Sequence, residues 1–293
     1  MASLRDIRNR IKSIKSTEKI TKAMKMIAAV KMKKTQNTLK NFSSYLIELE
    51  KKIMEIFKDF SFFETNDLFL FSPNNFLNNV CCVFLTSDKG LCGSYNVGLN
   101  KKRIELENLK KSNNLNINYI VFGKKGYEIL KKEGQTIIEK FFFLDNLIIN
   151  KEIFKISNII LEKIFNKEFS EIYIVYNKYE SIAIQKPVYE KIFPLDINDF
   201  ISNDFSLKSD PLSYEGDDKK FIESVLNRFF LSKLHNFFLN SLLSEYCFRM
   251  KAMESANKSA KDMISKLVLF YNRSRQANIT RELIEIISGA ESS

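Results

Sequence analysis

The sequence predicts a fold that mixes α+β and α/β character: a long antiparallel coiled coil of N- and C-terminal helices with an α/β domain inserted between them. Three observations predict it. The first 72 residues and the stretch from Asp217 to Ser288 contain neither glycine nor proline, and eleven of the twelve such residues lie between Pro73 and Gly216. Glycine and proline are the strongest punctuation a chain carries, so this one is punctuated only in its middle. Both ends repeat apolar residues every seven positions, whereas the middle switches to short apolar runs. The expected division is 1–62 for the first helix, 63–212 for the α/β domain and 213–293 for the last helix.

In the N-terminal segment, steps of seven give Leu4, Ile11, Glu18, Lys25, Met32, Leu39, Leu46, Ile53 and Phe60. A second series gives Ile7, Ile14, Thr21, Ala28, Thr35, Phe42, Leu49 and Ile56. Apolar residues alternately three and four apart form one stripe, and a strict repeat of seven favours a supercoiled partner. A helix from Ser3 to Phe60 would be roughly 87 Å long at about 1.5 Å per residue. Alone it could not bury its stripe.

The C-terminal segment supplies the partner. Ile222, Val225, Phe229, Leu234, Phe238, Leu242 and Tyr246 make a broad apolar face. The predicted seam then narrows to Met253, Ala256, Ala260, Met263, Leu267 and Phe270, and Ile279, Leu283 and Ile286 complete it. This helix, roughly 105 Å long, outruns its partner and leaves a single-helix tip. Two ordinary amphipathic helices on a globular core are the alternative, although helices of that kind run about 8–20 residues.

The seam has a weak stretch. Glu18, Thr21, Lys25 and Thr35 stand where a stable coil wants Leu or Ile, opposite the small residues Ala252, Ser255, Ala256, Ser259 and Ala260. Small residues allow close backbone approach, and polar seam residues trade stability for register. Register fixing and a moving part are both open at this point.

Between the helices, Val80–Leu85 is a continuous apolar run of the buried-strand type. Leu99–Lys111 predicts a helix, Ile117–Phe122 a strand, Lys124–Lys132 a helix and Thr136–Phe142 a strand or sheet edge. Lys151–Phe165 predicts a helix, and Ile172–Tyr176 a strand followed by an extended segment through Pro187. Strands alternating with helices give a largely parallel, Rossmann-like sheet. Such a sheet invites a nucleotide site, but no GxGxxG is present. The nearest phosphate loop, Gly93 to Gly98, has Leu99 where the phosphate-binding lysine is required.

No catalytic, cofactor-binding or metal site is expected. His235, the only histidine, sits among Leu234, Phe237 and Phe238 as a helix-face residue, and Cys81, Cys82, Cys92 and Cys247 lack the spacing of a zinc site. The cysteines are expected to be reduced thiols. No apolar run reaches the roughly 18–20 residues of a membrane span. The basic, amphipathic N-terminus continues unbroken into the heptads and reads as mature protein without a signal peptide.

Charge is unevenly spread. Residues 1–60 carry 15 Lys and Arg against 6 Asp and Glu, residues 61–216 carry 19 against 20, and residues 217–293 carry 12 against 9. A basic helical stripe attracts an acidic partner: nucleic acid, anionic lipid or an acidic protein surface. Nucleic acid is disfavoured, because Arg5–Lys34 offers no aromatic ring for base stacking.

Three segments resemble the gamma subunit of bacterial F-type ATP synthases. They are Arg5–Arg8 through Ile20–Ala28 and Lys31–Lys33, then Thr86–Gly93 with Tyr95–Asn96, and finally Tyr271–Leu283 through Ser288–Ala290. The resemblance implies a non-catalytic central rotor stalk in a proton-driven complex. Its partners would be three alpha and three beta subunits, an epsilon subunit and a membrane ring of c subunits, with no nucleic acid. Membrane association would come through the complex, at the cytoplasmic face of the inner membrane. Carried over by position, the residues contacting the alpha/beta ring would be Met24, Lys25, Arg249, Gln276, Thr280 and Glu282. The family's usual Glu-Pro near the last helix is Glu215-Gly216 here. No cysteine lies between Asp196 and Gly216, so the cysteine-pair switch of chloroplast members is not implied.

Overall fold

The computed structural model describes residues 4–59, 78–112, 114–142, 155, 157–164, 166–195 and 218–291. The expected boundaries at 62/63 and 212/213, Phe60, and the Glu215-Gly216 step lie outside the described residues. The chain divides into two compact units, Met1–Val30 with Arg249–Ser293 and Lys31–Phe248. Helix α1 is Leu4–Asp59, and the last helix, α5, is Asp218–Glu291.

The larger unit is built on a five-stranded sheet. In chain order it contains β1 (Asn79–Leu85), α2 (Tyr95–Lys111), β2 (Asn116–Phe122), α3 (Lys124–Lys132), β3 (Ile137–Phe141), α4 (residues 157–164), β4 (Glu171–Tyr179) and β5 (Gln185–Phe193). The sheet order is β3-β2-β1-β4-β5; the first four strands are parallel and β5 runs antiparallel to β4. The segment expected to be merely extended through Pro187 is thus an edge strand. Pro187 is tolerated there because an edge can do without one ladder donor.

Side chains alternate across the sheet, as a strand's period of two requires. Cys81, Val83 and Leu85 face a layer formed by α4 and the Lys31–Phe248 parts of α1 and α5, including Leu46, Ile53, Phe229 and Phe238. Val80, Cys82 and Phe84 face Leu99 and Leu106 of α2 and Leu130 of α3. Both faces are covered, which explains why β1 is apolar throughout. Within this unit α1 and α5 run antiparallel: Phe42 stacks on His235 with ring centroids 4.7 Å apart, and Lys31 lies over the Tyr246 ring. His235 is therefore a packed helix-face residue, and burial lowers its pKa.

In the smaller unit α1 and α5 again pair antiparallel. Lys25 Nζ meets Glu254 Oε1 at 2.5 Å, and Asn257 Nδ2 donates to the Glu18 carbonyl at 2.9 Å. The α1 series faces inward as expected, with Ile7, Thr21, Ala28 and, in the larger unit, Met32, Thr35 and Leu39 buried.

On α5 the expected seam holds at Met253, Ala256, Ala260 and Leu267 and is corrected at two positions. Met263 and Phe270 are 47% and 53% exposed, while Ile264, Leu267 and Tyr271 are partly buried. Asn257, Ala260, Ile264, Leu267 and Tyr271, spaced alternately three and four apart, form the inward stripe, and Asn257 bonds across it to the Glu18 carbonyl. Ile279, Leu283 and Ile286, expected to complete the seam, are 47%, 54% and 68% exposed and form a bare apolar surface near the end of α5.

Candidate functional site

In a doubly wound sheet, a ligand binds outside the C-terminal ends of the strands where the strand order reverses. Here that point lies between β1 and β4. The segment after β1, Thr86–Gly93, is tied by its side chains to the end of β2 and the first turns of α2 and α3. Thr86 Oγ1 donates to the Phe122 carbonyl at 2.5 Å and accepts from Gly126 N at 2.8 Å. Ser87 N donates to Asn96 Oδ1 at 3.1 Å, and Asn96 Nδ2 donates back to Ser87 Oγ at 2.8 Å. Asp88 Oδ1 accepts from Lys124 N at 2.9 Å, occupying the first turn of α3. Such a carboxylate takes the place an anion would have at a helix N-terminus.

Two glycines make this packing possible. Gly123 has φ +89°, and a Cβ there would lie 2.3 Å from the Thr86 carbonyl oxygen; at Gly126 it would lie 2.6 Å from Thr86 Oγ1. Gly98, the second glycine of the nearest phosphate-loop match, lies inside α2, which begins at Tyr95 rather than Leu99.

The crevice itself is filled by α5. Phe238 packs edge-on to Phe122 at 4.6 Å. The Tyr95 hydroxyl lies 2.7 Å from Ser241 Oγ and donates to the Ser241 carbonyl at 3.2 Å. Ser244 Oγ donates to the Asn177 carbonyl at 3.1 Å, and Tyr179 N donates to Asn240 Oδ1 at 3.4 Å. Leu85, Thr86, Phe122, Phe238 and Leu242 line a remaining cavity of about 30 Å³. A small-molecule pocket needs roughly 300 Å³ or more, so the crevice is a helix seat. Ser241 and Ser244 were not singled out in the sequence, and Tyr95 entered there only as part of the family motif. The signal for the serines was polar residues in a broadly apolar helix face.

On the other side of the sheet, Arg103 is 1% exposed and bonds Asn100, Glu107, Tyr119 and Glu133. Burial alone would raise the Glu107 pKa. Hydrogen bonds from Lys111 and Gln135 and the Arg103 charge outweigh it, and the carboxyl sits below its ordinary value. Burial also pushes the Cys81 thiol up to about 12. Cys81, Cys82, Cys92 and Cys247 are buried free thiols.

The expected ring-contact residues all fall in the smaller unit. Met24 is half-buried beside the seam, and Lys25 is ion-paired to Glu254 across it. Arg249 is half-buried at the start of this unit's α5 segment. Gln276, Thr280 and Glu282 are exposed, and the Thr280 hydroxyl donates to the Gln276 carbonyl at 3.0 Å. The structure thus gathers two groups: Met24, Lys25 and Arg249 in the paired part, and the other three near the end of α5. Asn257, also unforeseen, joins the first group through Glu18 and Thr21. Among the described residues no cluster of His, Cys, Asp and Glu could hold a metal ion, and no helix is long and apolar enough to cross a membrane.

Comparison with known proteins agrees along the whole chain. Residues 3–292 match the family described as ATP synthase. The chain is 35% identical to the ATP synthase gamma chain of Pelagibacter ubique over 294 residues, covering 100% of both. It is 36% identical to that of Rickettsia prowazekii over 302 residues, covering 99% of each. Among solved structures, a chain of the Euglena gracilis mitochondrial ATP synthase (OSCP/F1/c-ring) superposes with a TM-score of 0.66 at 20% identity, covering 99% of this chain and 94% of that one. A chain of the Tetrahymena thermophila mitochondrial ATP synthase central stalk and c-ring superposes at 0.56 with 22% identity, covering 81% and 99%. With full-length relatives above 30% identity and the same fold, this chain belongs to the ATP synthase gamma-chain family.

Proposed function

We propose that this subunit, non-catalytic like the gamma chains of its family, is the central rotor of a proton-driven F-type ATP synthase. In this reading it turns with a membrane c-ring and drives conformational changes at beta-subunit catalytic sites, so that it governs ATPase activity and proton flow through the complex. Its partners are three alpha and three beta subunits, an epsilon subunit and the c-ring, and it lies peripherally at the cytoplasmic face of the inner membrane. Residues 1–62 and 213–293 form the coiled coil and 63–212 the α/β domain. The full-length match to gamma chains is the observation that carries the reading.

Met24, Lys25, Arg249, Gln276, Thr280 and Glu282 are its contacts with the alpha/beta ring. Exposed apolar residues beside the last three, such as Leu283 and Ile286, support an environment more protein-like than water. One asymmetric rotor biases three equivalent sites differently only if its contact energy differs among their conformations.

A tagged pull-down from mild-detergent membranes, read by native mass spectrometry, tests the proposal. Three alpha and three beta subunits per copy of this chain are expected. Recovery with nucleic acid, or as a bare homodimer, would overturn it.

A further inference from the structure

Helix α5 meets the sheet in two different ways. Phe229, Phe230, Phe237 and Phe238 pack into the apolar layer, a non-directional contact over which a helix can roll. One turn further on, Asn240 and Ser244 bond to the C-terminal end of β4 and Ser241 to Tyr95 at the start of α2. Ser241 and Ser244 are 4% and 0% exposed. Burying a hydroxyl is unfavourable unless it is bonded, and alanine would fill that face without the desolvation. Packing alone therefore does not explain these serines.

Their partners are held rigidly. Tyr95 opens α2, is buried and packs edge-on to Phe248 at 5.8 Å. Asn177 stands opposite Pro187, which has no N–H to offer, and its carbonyl accepts from Ser244. Tyr179 lies two residues along the same strand, donates its N–H to Asn240 and accepts at its hydroxyl from Gln36 of α1 at 3.3 Å. β4 and Tyr95 of α2 thus grip α5 at three positions spanning about one helical turn, and buried directional bonds fix a single orientation where apolar contact does not.

We infer that Tyr95, Asn240, Ser241 and Ser244 are positioning residues that lock the rotational setting of α5 on the α/β domain. Torque received by the domain then passes into the helix without roll. This rests on the rotor reading above and adds to it the residues that transmit the turning force between sheet and helix.

The test uses the assembled complex, held through its catalytic hexamer and stalled, with a probe particle on exposed α2 through Ile104→Cys. In the Tyr95→Phe, Ser241→Ala, Ser244→Ala triple variant, the angular variance of the probe should rise about twofold as directional restraints are lost. Ions pumped per ATP should fall with it. Ser241→Thr keeps the hydroxyl and should retain the parental variance and coupling, a rescue that a purely space-filling role does not predict. If the triple variant does not assemble, Tyr95→Phe alone removes one oxygen and carries the same two readouts. Unchanged variance and coupling in an intact complex overturn the inference while leaving the rotor reading standing. A parental chain that never assembles with a hexamer overturns both.

Discussion

Asn257 of α5 donates its side-chain N–H to the backbone carbonyl of Glu18 on α1, 239 positions away in sequence, at 2.9 Å. The same carbonyl accepts from the Thr21 hydroxyl at 3.0 Å, and that hydroxyl lies 3.4 Å from Asn257 Nδ2. One polar knot therefore sits in the weakest stretch of the seam, where a second helix bonds directly to the backbone of the first. Polar seam residues of this kind specify register at some expense of stability.

Asn257→Ala should destabilise the pair by about 1 kcal/mol, the net worth of a typical hydrogen bond. Hydrogen exchange by mass spectrometry should show faster amide exchange over Thr17–Lys25, with residues 79–122 unchanged. Uniform exchange across both regions would mean that the knot is incidental.

Gly123→Ala should be among the most damaging single changes in the α/β domain. The new Cβ would meet the Thr86 carbonyl oxygen and carbon at 2.3 and 2.6 Å, both backbone atoms, at a φ that alanine rarely adopts. A loss of more than about 2 kcal/mol in urea unfolding is expected from strain and overpacking together. Gly134→Ala is the control, with a positive φ but nothing within 4 Å.

Glu107→Gln should weaken the domain in a pH-dependent way. The folded-state pKa of Glu107 lies below its ordinary value, so its charge stabilises the fold above the ordinary carboxylate range. That contribution fades as pH falls through the folded value. The stability gap between parent and variant should be widest near neutral pH and close on acidification, as followed by denaturant midpoints. A gap that widened in acid would reverse the sign assigned here.

Gln276→Ala and Thr280→Ala should leave hexamer assembly intact and reduce the coupling of ATP turnover to ion pumping. Gln276 and Thr280 are exposed, and Thr280 bonds only to the Gln276 carbonyl in its own helix, so the fold has little to lose. Native mass spectrometry and a vesicle pumping assay on the same preparations separate the two effects. Parental pumping in both variants would remove these residues from the proposed contact set.

Much of this was legible in the chain itself. The α1 series from Leu4 to Ile53 faces inward because a seven-residue repeat needs only local geometry and apolar side chains to declare itself. β1, β2 and α3 were equally plain, since a continuous apolar run or a strong helical period survives in any tertiary setting. The family motif at Thr86–Gly93 was visible too, although not what it does.

Tertiary structure decided the rest. Ile264 rather than Met263 lies on the inward stripe with Asn257 and Ala260, a phase not predicted from the sequence. The motif after β1 proved to be a turn bonded to β2, α2 and α3, with Gly123 and Gly126 making room for Thr86. The crevice beside it is closed by Ser241 and Ser244, which lie more than 140 residues away. Periodicity and composition are properties of neighbours in sequence, so the sequence by itself determined the two long helices, strands β1 and β2, helix α3 and which face of α1 is buried, whereas β5 became a strand only by pairing with β4. A hydrogen bond between distant residues has no period, and only the folded chain could show which polar groups would meet.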